Sequence, residues 1–261
     1  MIDLAKGGAH DLYFIHGMWS TPEVWNGLRA RFEGSGHATH APALPYHDRR
    51  RGEAPHPGLA ALGLKDYIDF LVDDVSRLSV PPIIVGHSMG GFLAQAVAAR
   101  VQPAGVVLLS PAATAATAAP AFAPLRTAWP ILSSWGWWKR PTLIDASSAR
   151  WGIFNEVPAA VADAEIDALV WDSGRVLAEL SAPWAVRSGS AKVDYARLTC
   201  PALIVSGLED RITPTGVARA TARAWTGPVD YHELPGVGHW LFHSPVVERV
   251  ATLIEGWLPR A

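Results

Sequence analysis

The chain has 261 residues, 49% of them hydrophobic and 18% charged, with a formal net charge of −2 at pH 7. A chain of this length and composition can bury the core of one large α/β domain, with or without an insertion. Its near-neutral charge gives no electrostatic basis for binding nucleic acid or an anionic membrane, and no stretch reaches the roughly 18 consecutive apolar residues of a membrane span.

Two sequence features bear on the cellular compartment. Residues 1–8 lack the basic and apolar regions of a secretory signal, so we expect a cytoplasmic protein. The single cysteine, Cys200, cannot form an intramolecular disulfide. An apolar run follows it and no activating base lies beside it in the sequence, so we interpret it as a small buried residue and not as a nucleophile.

The first predicted element is an apolar strand over residues 11–15 that runs into the turn His16-Gly17. Ser20 or Thr21 is suited to cap the helix that follows this turn. We interpret His16 as an imidazole that fixes the loop by hydrogen bonds, and not as a base.

Residues 34–60 are rich in Gly, Pro and His, a composition typical of a long loop. Its histidines lack the spacing and the cysteine or carboxylate companions of a zinc site, so we predict no metal and no cofactor. We interpret the run Arg49-Arg50-Arg51 as a solvated surface. The next predicted helix, over residues 64–78, places four aspartates on its polar face, where we expect them to be solvent-exposed.

The stretch Gly86-His87-Ser88-Met89-Gly90 follows a β-branched apolar run and precedes residues of helical character. It matches the pattern G-x-S-x-G, in which a serine occupies a tight, strained turn between a strand and a helix. Side chains at Gly86 and Gly90 would collide with neighbouring backbone, and the turn pushes the Ser88 hydroxyl out of the sheet. We therefore predict that Ser88 is a nucleophile, the alternative being an ordinary strand-to-helix turn.

Two backbone amides are candidates for stabilising an oxyanion. The Met89 amide is the first of the predicted helix after Ser88, so the nucleophile and one donor come from the same turn. With Ser88 at the top of a parallel sheet, the second donor must come from an earlier strand-to-helix loop. We expect it at Met18, directly after His16-Gly17.

The chain changes in character after a further predicted strand over residues 105–111. Residues 112–190 show no clear strand, have their best helix over residues 158–170 and contain seven of the chain's twelve tryptophans. We predict a helical Trp-rich cap inserted into a core of residues 1–111 and 191–261. Its indoles form a small core of their own or face a pocket or a partner chain, which leaves a homodimer open. The tryptophans that we expect at a substrate pocket are Trp19, Trp135, Trp137, Trp138 and Trp240.

The predicted sheet resumes over residues 201–207 and ends in a loop with two candidate acids, Glu209 and Asp210. Both follow the carboxyl end of a strand, which lies at the same edge of a parallel sheet as Ser88.

The candidate base is His239, which lies in a glycine-flanked loop after the last predicted strand. From such a loop a ring can swing over the sheet edge. His232 lies inside the strand pattern and His243 follows the loop, so both are less well placed.

The chain order of Ser88, Asp210 and His239, with an insertion between the first two, resembles the α/β-hydrolase superfamily over nearly the whole chain. The resemblance implies an α/β fold with a mostly parallel central sheet covered by helices, and a Ser-His-Asp triad. It favours Asp210 over Glu209, because residues 210–214 are similar to the family's acid loop.

The resemblance further implies a serine hydrolase that cleaves a carboxylic ester of a small or medium-sized apolar substrate through an acyl-enzyme. A serine at position 88 excludes the dehalogenase and epoxide hydrolase branches, which need a carboxylate there. Lactonases, C–C bond hydrolases and acyltransferases share the triad and stay open, as does a receptor-like member with little turnover. A hydroxynitrile lyase is disfavoured, because Met18-Trp19 follow the His-Gly pair where those relatives carry a threonine.

Overall fold

The structure is a computed structural model that describes residues 10–119 and 121–258. The prediction drawn from residues 1–8 lies outside this part of the chain. Within it, no helix is both long enough and apolar enough to cross a membrane.

Eight strands are present in the described residues, and six of them form one sheet. The strands are β1 (Asp11–Ile15), β2 (Ala38–His40), β3 (Ile83–His87), β4 (Gly105–Leu109), β5 (Pro141–Thr142), β6 (Asp172–Ser173), β7 (Ala202–Gly207) and β8 (Val229–Leu234). The sheet has the order β2-β1-β3-β4-β7-β8, and all its neighbouring strands are parallel. The carboxyl ends of its strands therefore meet at one edge.

Nine α-helices lie in the same described ranges. They are α1 (Asn26–Gly34), α2 (Leu64–Val75), α3 (Met89–Val101), α4 (Phe122–Leu132), α5 (Ala146–Gly152), α6 (Ala159–Ala168), α7 (Gly174–Ser181), α8 (Thr215–Ala224) and α9 (Val246–Trp257).

Successive residues of the central strands point into two separate apolar layers. In β3, Ile84 packs in the layer that contains α2 and α3, while Ile83 and Val85 pack in the opposite layer with α1 and α9. All three side chains are fully buried. Because helices cover both faces, neighbouring positions 83–85 of this strand are all apolar, which is why its sequence begins with a continuous apolar run. The predicted parallel sheet covered by helices is confirmed.

Residues 112–190, between β4 and β7, are called the cap segment below. The cap segment contains α4 to α7 and an antiparallel ribbon of β5 and β6, in which Pro141 pairs with Ser173. The sequence predicted no clear strand here, and the ribbon corrects that expectation. Two residues a strand are too few to show alternation. The division of the chain into a core and a separate cap stays a prediction.

A third apolar cluster joins the cap segment to the sheet edge. Trp19, from the loop after β1, and Trp240, from the loop after β8, pack with buried cap residues such as Ile144 and Phe154. The cap segment is therefore seated on the loops that carry the candidate site residues.

Asp66, Asp69 and Asp73 of α2 are exposed, as expected, but some of the charged residues that were expected to be solvated also have structural contacts. Asp74 accepts a hydrogen bond of 2.7 Å from the hydroxyl of a tyrosine in β1, and Asp66 accepts one of 2.7 Å from a backbone amide at the start of α2. Arg51 donates to two backbone carbonyl oxygens of the cap segment, at 3.1 and 3.2 Å. The sequence shows the charges, but not the carbonyl and hydroxyl groups that the fold brings to them.

Candidate active site

Ser88 lies in the turn between β3 and α3, in a backbone conformation that residues with side chains rarely adopt. Its φ is 56° and its ψ is −121°, and such a conformation costs on the order of 1–3 kcal/mol. Neighbouring backbone holds it in place: the Ser88 amide donates to the Leu109 carbonyl oxygen at 3.0 Å, and its carbonyl oxygen accepts from the Ala112 amide at 2.8 Å. The turn thus presents Ser88 at the carboxyl edge of the sheet.

The glycines on either side of Ser88 are required by close backbone approaches. A Cβ on Gly86 would overlap the carbonyl group of Gly90, and a Cβ on Gly90 would overlap that of Ile15. A Cβ on Gly17 would lie 3.2 Å from Cβ of Ser88. The loop after β1 therefore lies directly against the serine turn.

His16 ties this loop in place. The amide of Leu44 donates to His16 Nε2 at 3.1 Å, and His16 Nδ1 donates to the Gly17 carbonyl oxygen at 2.9 Å. A ring that accepts at one nitrogen and donates at the other is neutral, and burial, followed by the nearby His47, lowers the pKa of His16 to about 3. The C=O and N–H of a trans peptide point in opposite directions, so fixing the Gly17 carbonyl also orients the Met18 amide.

The two amides predicted to stabilise an oxyanion belong to residues at one cavity. The Met89 amide is the first of α3, where no carbonyl group of the helix can pair with it. Met18, Met89 and Ser88 all line this cavity. The fold thus brings Ser88 and the two residues of the predicted donors to the same cavity.

Asp210 and His239 form a buried pair at the same edge. His239 Nδ1 donates to Asp210 Oδ2 at 2.8 Å, and Asp210 Oδ1 accepts from the amides of Ile212 and Thr213, each at 2.8 Å. Burial raises the pKa of Asp210, but His239 and these amides outweigh burial and lower it below its ordinary value. Asp210 is therefore a carboxylate, and because a carboxylate only accepts, Nδ1 of His239 is the nitrogen that donates in this pair.

The rival residues lack such contacts. The Glu209 side chain is exposed, as is His232 in β8. His243 is buried, but its Nδ1 donates to a backbone carbonyl oxygen at 3.2 Å. Geometry thus favours the pair of Asp210 and His239.

His87 supports the base loop, a contact that the sequence did not predict. Its Nε2 donates to the His239 carbonyl oxygen at 3.0 Å, and the two ring centroids are 4.8 Å apart. Burial, followed by the nearby His239, lowers the pKa of His87 to about 3, so the ring is neutral. A polar residue at the end of an otherwise apolar strand was the one signal for this role.

A cavity of about 760 Å³ opens at Ser88 and His239, a volume typical of small-molecule sites. The described residues that line it include no Asp, Glu, Lys or Arg. The cap segment contributes large apolar side chains, those of Phe122, Leu125, Leu132, Ile153, Leu169, Leu177, Leu180 and Trp184. The cavity therefore suits an uncharged, largely apolar molecule.

Of the five tryptophans expected at the pocket, Trp19 and Trp240 line the cavity, while Trp135, Trp137 and Trp138 do not. Trp135 is 89% exposed and packs edge to face against Trp138, which packs in the same way against Trp137. The structure corrects the expectation for these three. Their apolar character predicted contact with something, and the turn after α4 makes them each other's neighbours.

Two cap residues that the sequence did not single out reach the loops of the site. Asn155 Nδ2 donates to the Glu209 carbonyl oxygen at 2.7 Å, and Asp172 Oδ2 accepts from the Trp19 amide at 3.1 Å. The partners are 54 and 153 positions apart in the chain. No local pattern could have predicted these contacts.

The structure offers little for metal or thiol chemistry in the ranges 10–119 and 121–258. These residues bring together no group of three His, Cys, Asp or Glu that could hold a metal ion. Burial raises the pKa of Cys200 to about 11, and a protonated thiol is a poor nucleophile.

Comparison with known proteins places these features in context. The model of the alpha/beta hydrolase family matches residues 12–252. No curated protein matches the chain.

Three solved structures illustrate the similarity. A pyrethroid hydrolase from Sphingobium faniae JZ-2 is 22% identical, with a TM-score of 0.69 over 96% of this chain and 98% of that one. A monoacylglycerol lipase from Paleococcus ferrophilus is 20% identical, with a TM-score of 0.69 over 98% and 97%. A methylesterase from Arabidopsis is 13% identical, with a TM-score of 0.69 over 95% and 98%. At these identities the similarity establishes the shared fold.

Proposed function

Because this chain belongs to the alpha/beta hydrolase family, we propose that it is a serine hydrolase that cleaves carboxylic esters of small or medium-sized, uncharged apolar substrates. One observation carries the proposal: Ser88, in its strained turn, and His239, which is paired with the buried Asp210, both line one cavity whose described lining residues include no Asp, Glu, Lys or Arg.

In the proposed reaction, His239 accepts the Ser88 proton at Nε2 as the Ser88 oxygen attacks the ester carbonyl carbon. Asp210 holds the ring through Nδ1 and stabilises the positive charge that develops on it. The imidazolium then protonates the leaving alcohol. Water, activated by the same ring, releases the acid and restores Ser88.

The amides of Met18 and Met89 stabilise the negative charge on the carbonyl oxygen during both steps. Preorganised donors are effective here because they need no reorientation during the reaction. The bonds that His16 makes to Gly17 and Leu44 supply this preorganisation for Met18.

The substrate class follows from the cavity. A charged group would lose its hydration there without gaining a partner of opposite charge, which is strongly unfavourable. Apolar surface gains about 25 cal/mol for each Å² removed from water, so an acyl chain that fills the cavity is favoured. The names of the similar structures, a pyrethroid hydrolase, a lipase and a methylesterase, agree with ester chemistry.

A chain-length panel of nitrophenyl esters, from acetyl to dodecanoyl, tests the proposal. Ser88→Ala should lower kcat/KM by roughly 10⁴-fold or more, because the nucleophile is lost. Ser181→Ala is the matched control: Ser181 also lines the cavity, but its hydroxyl donates within α7, to the Leu177 carbonyl oxygen at 2.7 Å. It should stay within about threefold of the wild type. Turnover that is absent on every ester, or equal in wild type and Ser88→Ala, would overturn the proposal.

A further inference from the structure

The backbone of Trp19 is held by the cap segment on both sides. Its amide donates to Asp172 Oδ2 at 3.1 Å, and its carbonyl oxygen accepts from the Val170 amide at 2.9 Å. Its φ is 58°, a left-handed conformation that is unfavourable for a residue with a large side chain. These two hydrogen bonds oppose the tendency of the loop to relax.

The Trp19 contacts complete a series along the loop after β1. His16 holds the peptide between Gly17 and Met18, Asp172 holds the next peptide through the Trp19 amide, and Val170 holds the one after it. Met18 therefore lies between two peptide planes that are each fixed by a side chain. One of these side chains belongs to the core and the other to the cap segment.

Asp172 is a buried residue whose carboxylate has several contacts besides the one to the Trp19 amide. Its side chain is fully buried, its Oδ1 accepts from the Tyr67 hydroxyl at 2.9 Å and from the Ser173 amide at 2.7 Å, and its Oδ2 lies 3.1 Å from His47 Nε2. His47 is equally buried, and its Nδ1 donates to the Pro45 carbonyl oxygen at 3.1 Å. A buried contact between a carboxylate and an imidazole, even when both are charged, adds little net stability compared with apolar residues of similar size. Stability alone thus gives weak reason for a carboxylate at this place.

We propose that Asp172 is a positioning residue, which holds the Met18 amide in its place near Ser88 from the cap segment. The site is then fully formed only when the cap segment is seated on the loop after β1. This inference rests on the proposed function, since it assigns Met18 to the stabilisation of the oxyanion.

The two ways in which Asp172 can matter have different consequences. A residue that only stabilises the fold lowers the melting temperature and leaves the ratio of transition-state binding to substrate binding unchanged. A residue that positions an oxyanion donor affects the transition state more than the bound ester. A misplacement of about 1 Å can cost on the order of 100-fold in rate.

The test compares Asp172→Asn with Tyr67→Phe. The first replaces the charged acceptor of the Trp19 amide by an isosteric neutral group. The second removes a hydrogen bond to Oδ1 of the same carboxylate and leaves the Trp19 contact intact. Each variant is assayed for kcat and KM on the best ester of the panel, for melting temperature, and for inhibition by an alkyl trifluoromethyl ketone, which forms a tetrahedral oxyanion adduct with a serine.

For Asp172→Asn we expect kcat to fall by roughly 10- to 100-fold, KM to change by less than about threefold, and the ketone inhibition constant to rise in step with the loss of kcat/KM. For Tyr67→Phe we expect a lower melting temperature with kcat within about threefold of the wild type. Equal kcat losses in the two variants, or a ketone constant that changes no more than KM, would overturn the positioning role.

If Asp172→Asn does not fold, the loss of the buried carboxylate beside His47 is the reason, because removing one partner of a buried pair of ionisable groups is strongly destabilising. The double variant Asp172→Asn with His47→Gln then replaces it, and Tyr67→Phe, which leaves the buried pair in place, stays its control. The same kinetic difference between double and single variant is expected, and its absence overturns the proposal.

The outcome separates this inference from the proposed function. Wild-type turnover that needs Ser88, together with an unchanged kcat in Asp172→Asn, overturns the positioning role alone. If the wild type has no such turnover, the proposed function is overturned. Hydrogen exchange at the Trp19 amide, which needs no substrate, then decides on the contact: faster exchange in Asp172→Asn than in Tyr67→Phe supports it, and equal exchange overturns it.

Discussion

The two walls of the cavity differ in how deeply their residues are buried and in how they are held by hydrogen bonds. On the sheet wall, Ser88, Asp210 and His239 are buried, and each is fixed by hydrogen bonds to backbone or to another side chain. On the cap wall, Phe122 is 80% exposed and Trp184 is 63% exposed, although both line the cavity. The sheet wall therefore has a geometry fixed by hydrogen bonds, whereas the cap wall presents apolar surface to the cavity.

The helices α3 and α4 show the same contrast. In α3, the residues from Met89 to Ala99 are all buried, because α3 packs between the sheet and other elements of the core. In α4, Thr127 is the one buried residue, and the apolar Leu125 and Trp129 are 53% and 65% exposed. Apolar residues are thus buried in α3, whereas in α4 they are also found at exposed positions, of which Leu125 lines the cavity and Trp129 does not.

The largest expected effect tests the assignment of Asp210 as the acid that pairs with His239. Asp210→Asn should keep the fold and lower kcat by up to roughly 10⁴-fold, because the amide favours the wrong tautomer of His239. Glu209→Gln should change kcat by less than about twofold, since its side chain is exposed. Steady-state kinetics on the best ester measure both. The reverse result, with Glu209→Gln damaging and Asp210→Asn silent, would make the assignment of the acid wrong.

Close backbone contact on the sheet wall predicts the next largest effect. Gly90→Ala places a Cβ against the carbonyl group of Ile15, and overlap with backbone cannot be relieved by a side-chain rotation. We expect a loss of about 2–4 kcal/mol in the free energy of unfolding.

The matched control is Gly27→Ala in α1, where a Cβ meets nothing within 4 Å. Alanine should stabilise this helix by about 0.5–1 kcal/mol. Urea unfolding followed by circular dichroism measures both changes. Similar free energies of unfolding for the two variants would contradict the account of the serine turn.

Acid should destabilise the protein through two buried histidines next to the sheet edge, whereas the cap segment contains no histidine. Burial lowers the pKa of His16 and of His87 to about 3, whereas both rings titrate near 6.5 in an unfolded chain. Between these values the unfolded chain binds more protons, so the free energy of unfolding falls as pH falls. The slope is about 1.4 kcal/mol per pH unit for each ring.

Urea unfolding between pH 7 and pH 4.5 measures this slope. His87→Gln should reduce the slope by the contribution of one ring, about 1.4 kcal/mol per pH unit. Glutamine can still donate a hydrogen bond but does not titrate in this range. His232→Gln is the control, because His232 is exposed in β8. An unchanged slope in His87→Gln would contradict the prediction that burial keeps this ring neutral.

The smallest effect sharpens the comparison on the cap wall. Trp184→Ala should lower the ratio of kcat/KM for the octanoyl ester to kcat/KM for the acetyl ester by roughly 5- to 30-fold, because it removes apolar surface from the cavity. This change corresponds to about 1–2 kcal/mol of transition-state binding. Trp135→Ala removes an indole that is also exposed but lies outside the cavity, and it should leave this ratio within about twofold. An equal change in both variants would contradict the division between the two indoles.

The predictability of the chain follows the same division. The strand before Ser88, the two glycines around it and the helix after it were all predicted, because a turn of this kind depends on residues within about ten positions. His239 was chosen over its rivals from its glycine-flanked loop, and the structure pairs it with Asp210. The catalytic role of this pair stays a prediction, which the kinetics of Asp210→Asn test.

The cap segment was predicted less well. Its tryptophan content indicated an apolar insertion, but Trp135, Trp137 and Trp138 pack on one another instead of lining the cavity. The number of apolar residues indicates how much surface is favourably buried, but it does not specify which residues bury it. Short helices and two-residue strands such as β5 and β6 add no periodicity from which a partner could be inferred.

The sequence by itself determined the parts of this protein that depend on local conformation: the alternation of apolar strands with helices, the glycine turn at Ser88 and the loops of Asp210 and His239. Only the tertiary structure decided which polar groups meet across the chain, as Asp172 meets the Trp19 amide 153 positions away. The physical reason is the range of the forces. Steric limits on φ and ψ act between neighbouring residues, whereas a buried hydrogen bond forms wherever the folded chain brings a donor and an acceptor to within about 3 Å.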